Sequence, residues 1–169
     1  EVCRILNLPK NRFLNEAYKF ETAVSPHWAA EKENIHIDPE KIKLPTISTS
    51  LIIETAGGLM VPLNRKFLQI ELLKKWNLPV ILVARSGLGT LNHTLLSLEA
   101  LRSRKIPILG LILNGPSHPD NPKTLEKFGN INLIGHLPPL KKINAEVLHK
   151  HWHDQNMGDT INRLINKFK

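Results

Sequence analysis

The 169-residue sequence has one cysteine, 5% aromatic residues and no apolar run longer than a strand, and each shortage removes a class of protein. Cys3 alone cannot close an internal disulfide, which suits a reducing compartment and a cytoplasmic protein. The longest apolar runs, 79–84 and 106–113, fall far short of the roughly 18–20 residues of a membrane helix, so no membrane role is expected. Scattered lysines, few aromatics and no Cys/His finger spacing argue against nucleic acid. None of the nine glycines precedes a lysine, so G-x-x-x-x-G-K-[ST] is missing, as are G-x-S-x-G, H-E-x-x-H and C-x-x-C. Residues 1–10 hold no apolar signal region and the first methionine is Met60; the expectation is a natural start upstream of Glu1.

What remains is an ordinary globular composition, 41% hydrophobic and 22% charged, long enough for one domain over residues 1–169 with its own core. The net charge of +8 gives either a solvated basic surface or attraction for a polyanion.

From Pro45 onward, strand and helix patterns alternate. Residues 48–55 (STSLIIET) and 79–85 (PVILVAR) predict buried strands, the second covered on both faces, as does 106–114. A last short strand is expected at 132–137, and helical spacing marks 68–76, 91–104, 123–128 and stretches of 145–168. Short helices are expected at 15–20 and 26–32. Such alternation means a parallel α/β sheet, whose ligands sit at the carboxyl ends of strands. The candidate site is therefore 54–58, 85–92, 114–115 and 137–140.

At those ends stand particular chemistries. Glu54 leads into Gly57 and Gly58, either as a Mg²⁺ ligand beside a nucleotide phosphate or as an acid capping a turn. The loop 86–93 (SGLGTLNH) opens a helix whose free N–H groups suit a carboxylate or phosphate, or it needs two glycines only to turn. Asn114 can pair with an adenine edge, or form an Asn-Gly turn with Gly115. Of His149, His151 and His153 only the outer two share a helix face, and no further ligand completes a metal set, so a solvated polar helix is expected.

Four stretches resemble the dethiobiotin synthetase family, in family order: 25–31 (SPHWAAE), 52–63 (IIETAGGLMVPL), 78–114 with its L-G-x-x-N-H segment, and 135–140 (GHLPPL). The resemblance implies a three-layer, P-loop NTPase-like α/β domain with a mainly parallel sheet, working as a homodimer. It implies that ATP, CO2 and 7,8-diaminopelargonic acid give dethiobiotin, ADP and phosphate. Glu54 would ligate Mg²⁺, and Glu54, Thr55, Ala56 and Gly57 would line the phosphates, with Glu54, Gly57 and Gly58 at the chemistry. Asn114 and Gly115 would meet adenine, with Pro138, Pro139 and Leu140 across the base. Gly89, Leu91 and Asn92 would reach across the dimer to the substrate carboxylate, and Ser25 would lie near the diamine.

Thr55 stands where many members have Gly, and Gly115 where Asp is frequent. The family's P-loop, with the first strand and helix of the sheet, is expected before Glu1; phosphoryl transfer depends on such positioning, so these 169 residues alone are expected to be inactive. The alternative is a non-catalytic paralogue or fragment that keeps the dimer and acid pocket. An amidotransferase of the cobyrinic-acid kind would need a glutaminase domain, and no such cysteine motif follows.

Overall fold

The computed structural model describes residues 2–168. In chain order its elements are α1 (Val2–Leu6), α2 (Pro26–Lys32), β1 (Pro62–Asn64), β2 (Phe67–Leu68), α3 (Gln69–Trp76), β3 (Val80–Arg85), α4 (Thr90–Ser103), β4 (Ile108–Asn114), α5 (Asn121–Gly129), β5 (Leu133–Leu137), α6 (Ala145–Asp154) and α7 (Met157–Ile165), with three short 3₁₀ turns. They form two compact units, one of residues 14–78 and one of the remainder.

The larger unit is built on the parallel sheet β3-β4-β5, with β4 central. Leu111, Leu113 and Leu125 form a core on one face, packed against Leu91 and Leu95 of α4 and Leu82 and Ala84 of β3. On the other face Leu109 and Ile134 meet Met157, Ile161 and Leu164 of α7. Helices on both faces of a parallel sheet make the three-layer arrangement that the family resemblance implies. The helix over 91–104 and the strands near 79–85, 106–114 and 132–137 form within two residues of expectation. One feature of β3 differs. Leu82 and Ala84 are covered, but Val83 is 61% exposed, because β3 is an edge strand and the helix on that face packs over β4 and β5.

In the 14–78 unit, α2 starts at Pro26, whose fixed φ suits a first helical position. Glu33 Oε1 accepts the N–H groups of Glu21 and Thr22, both at 3.0 Å, and so ties down the preceding chain. The core is Ala30, Ile37, Leu63 and Leu72, with Tyr18, Phe20, Phe67 and Trp76 around it. The helix expected at 15–20 does not form. Tyr18 and Phe20 both turn to this core, and a two-residue repeat of inward side chains belongs to extended chain. The strand expected at 48–55 does not form either. Among the described residues the unit's sheet is the β1–β2 hairpin alone, and Ile52 is 95% exposed. A strand exists only as part of a hydrogen-bonded ladder, and this run has none. Among the described residues no helix is long and apolar enough to cross a membrane.

Candidate functional site

The carboxyl ends of β3, β4 and β5 are tied together by polar side chains. Ser86, which follows β3, is 1% exposed. Its N–H donates to the Asn114 carbonyl (3.1 Å), its hydroxyl donates to the Pro116 carbonyl (2.6 Å), and its own carbonyl accepts from Asn121 Nδ2 (2.8 Å). Gly115 donates its N–H to the Leu137 carbonyl at 2.9 Å, which sets the 114–116 turn beside the loop that begins at 137. Gly115 has φ +131°, and a Cβ there would stand 2.7 Å from Ser86 Oγ, so this turn requires glycine. His136 Nε2 donates to the Gly115 carbonyl at 2.7 Å, and the Gln155 carboxamide pairs with the His136 backbone.

Asn114 and Gly115 are thus brought beside Leu137, at the start of the loop that carries Pro138, Pro139 and Leu140. The Asn114 side chain is exposed at the strand end and has no hydrogen-bond partner among the described residues. It offers a donor and an acceptor side by side.

The start of α4 is fastened to the same sheet. The Thr90 hydroxyl donates to the Arg85 carbonyl and lies 3.2 Å from the Thr94 hydroxyl. Gly89 is the N-cap with φ +89° and supplies no side-chain cap. The first N–H groups of a helix have no partner within it, so the turn carrying Leu91 and Asn92 presents a partial positive end. Asn92 is exposed.

Glu54, Thr55, Ala56, Gly57, Gly58 and Ser25 belong to the 14–78 unit. The turn 56–58 is gripped by Gln69, 3% exposed: its Oε1 accepts the Ala56 N–H and its Nε2 donates to the Gly58 carbonyl, both at 3.0 Å. Gly57 takes φ +79°. Glu54 approaches on irregular chain and not at the end of a strand; its carboxylate is exposed and unpaired among the described residues. A free carboxylate fits Mg²⁺, which is held through one or two such groups plus phosphate oxygens and water. Ser25 precedes α2 and caps it through its carbonyl, leaving its hydroxyl out of the cap.

Among the described residues no three His, Cys, Asp or Glu side chains gather as a metal set. His149 and His153 do share a face, with ring centres 5.9 Å apart. A cavity of about 450 Å³ beside His27 and Glu31 contains none of the sequence-predicted residues. Glu31 at its rim is held below the ordinary carboxylate range, first by its hydrogen bond from Arg65, whose own pKa is raised. Lys150 likewise lowers Asp154.

Local sequence does not mark Asn121, Gln155 or Gln69, nor the clamping roles of Ser86 and His136 within the stretches 86–93 and 135–140. Their partners lie 11 to 35 residues away, and each residue is unremarkable without its partner.

A family profile described as "AAA domain" matches residues 1–147. The chain is similar to the ATP-dependent dethiobiotin synthetase BioD of Rhodopseudomonas palustris (strain HaA2), 44% identical over 147 residues, covering 87% of this chain and 69% of that protein. It is 45% identical over 148 residues to the ATP-dependent dethiobiotin synthetase BioD of Brucella ovis, covering 88% and 70%. It is 44% identical to the biotin biosynthesis bifunctional protein BioCD of Bordetella avium, covering 87% of this chain and 32% of that longer protein. The chain belongs to the ATP-dependent dethiobiotin synthetase family, as its four ordered motifs imply.

Proposed function

We propose that this protein is a carbon–nitrogen ligase of biotin synthesis that makes dethiobiotin from 7,8-diaminopelargonic acid, CO2 and ATP. One substrate amine takes up CO2 as a carbamate and loses a proton. The carbamate oxygen attacks the γ-phosphorus of ATP and ADP leaves. The second amine then attacks the carbamoyl carbon, closing the urea ring and expelling phosphate.

The observation that carries the reading is the free Asn114 amide held beside the 137–140 loop by the Gly115–Leu137 hydrogen bond. Asn114 pairs with the adenine edge, Gly115 lies against it, and Pro138, Pro139 and Leu140 pack across the base. The N-terminal turn of α4, with Gly89, Leu91 and Asn92, receives the substrate carboxylate at its positive end. In the homodimer that turn serves the neighbouring copy's site, and Ser25 lies near the diamine. Thr55, Ala56 and Gly57 line the phosphates, with Gly58 at the chemistry. Glu54 would hold Mg²⁺, which supplies neutralisation of charge on the transferring phosphoryl group.

The test is dethiobiotin formation from labelled CO2 by the full gene product, with ADP counted in the same tube. Glu54→Gln is expected to lower kcat by about a hundredfold or more, since loss of metal-borne charge stabilisation is worth several kcal/mol. A full gene product that forms no dethiobiotin supports the non-catalytic binding protein instead.

A further inference from the structure

We infer that His136 is a positioning residue that sets the spacing between the two walls of the nucleotide-base site, and that Gln155 holds His136 in place to do so. The inference deepens the proposed function and rests on its placing of adenine between Asn114 and the 138–140 loop.

The structural basis lies in the strand edge. β5 is an outer strand, and residues of an outer strand alternate between bonding inward and facing an open edge. Leu137 turns its carbonyl inward, to the N–H of Gly115. His136, the residue before it, has its backbone groups taken up from outside the sheet. Gln155 meets both: Oε1 accepts the His136 N–H at 2.7 Å, and Nε2 donates to the His136 carbonyl at 2.7 Å. One carboxamide thus does the work of a fourth strand at a single residue. Gln155 is itself fixed, since it caps the end of α6 two residues before Met157, which is buried against Leu109 and Ile134.

With its backbone clamped, His136 aims its ring at the Gly115 carbonyl, 2.7 Å from Nε2. A carbonyl oxygen only accepts, so Nε2 carries the proton. Two bonds then join the strand ends, Gly115 N–H to Leu137 carbonyl and His136 ring to Gly115 carbonyl. On the other side, the Asn114 carbonyl is taken by the Ser86 N–H. The two peptides that flank Gly115 are therefore oriented, Asn114–Gly115 by Ser86 and Leu137, and Gly115–Pro116 by His136. Without the ring bond, Ser86 still holds the Asn114 and Pro116 carbonyls, but the Gly115–Leu137 bond is left as the tie of this turn to β5, and the spacing of the Asn114 amide from the loop after Leu137 loosens. Such a change acts on base binding and base choice, not on the phosphoryl step.

The test uses the full gene product and measures KM for ATP, kcat at saturating ATP, and the ratio of ATP to GTP use. His136→Leu keeps bulk and removes the donor. It is expected to raise KM for ATP about three- to tenfold, the worth of one hydrogen bond, to lower the ATP preference, and to leave kcat within about twofold. His136→Gln, whose Nε2 can reach the same carbonyl, is expected to restore most of both. Gln155→Leu should move KM in the same direction, and the double variant should be no worse than His136→Leu alone, because the two residues act in series. If His136→Leu fails to fold, His136→Gln against His136→Glu decides: the glutamate has equal length and no donor near pH 8, and equal behaviour of the two overturns the inference. Unchanged KM and preference in His136→Leu, with both shifted in Asn114→Ala, also overturns it. If Asn114→Ala shifts neither, the reading of the base site itself is wrong.

Discussion

Gln69 is a buried carboxamide engaged at both ends: its oxygen accepts from Ala56, its nitrogen donates to Gly58, and both partners are backbone. Each bond taken singly is worth little, because water would supply the same bond in the unfolded chain. Gln69→Leu frees the Ala56 N–H and the Gly58 carbonyl of an exposed turn that water can reach, at about 0.5–1.5 kcal/mol for each net bond lost. The turn that the proposed function gives to the ATP phosphates then relaxes. The expected outcome is a melting temperature lower by several degrees, together with a kcat about tenfold lower, since small misplacements of positioning groups cost rate. Thermal unfolding and steady-state turnover on the same preparation check this. A variant that loses stability and keeps full kcat would show that Gln69 supports the fold but not the site.

At the scale of elements, Gly110 in the middle of β4 shows what packing demands of sequence. A Cβ there would lie 2.7 Å from two side-chain carbons of Ile134 and 2.9 Å from the Asn132 carbonyl. The backbone oxygen cannot swing away as a side chain can. Gly110→Ala is expected to destabilise by about 1–3 kcal/mol, the usual range for overpacking, and to lower the denaturant midpoint with the slope unchanged. Much of this unit was legible beforehand, because β3, α4 and β4 are long enough to show a period, and Leu98 and Leu101 repeat at helical spacing and are buried. The hairpin was not, since strands of three and two residues hold no period to detect. The run 48–55 misled because its local pattern matches that of 79–85, and no local pattern says whether a ladder partner is available. The site divides the same way. Strand ends mark where Asn114 and Leu137 lie, whereas the clamps on them, Ser86 and His136, are tertiary pairings with no local trace.

At the scale of the whole molecule, the proposed homodimer makes a demand that a monomeric enzyme would not. Leu88, just before the first turn of α4, is fully exposed, and Leu96, one turn beyond Asn92 on the same face, is 56% exposed. Single exposed leucines are common, so exposure alone decides nothing. What decides is whether Asn92 of one copy completes the site of the other, and complementation tests that directly. Take Glu54→Gln and Asn92→Ala as separate variants, each assayed at limiting substrate so that both are weak alone. In a mixed dimer of a twofold-symmetric enzyme, one shared site collects both substitutions and the other collects neither. Random exchange makes half the dimers mixed, and each has one intact site of two, so the mixture should recover to about a quarter of the unsubstituted rate. Leu88→Asp, placing a charge on the exposed loop, should make that recovery depend on protein concentration and shift sedimentation toward the monomer. If the variants exchange subunits and the rate stays at the sum of the two, each copy uses its own α4 turn, and Asn92 does not reach across an interface.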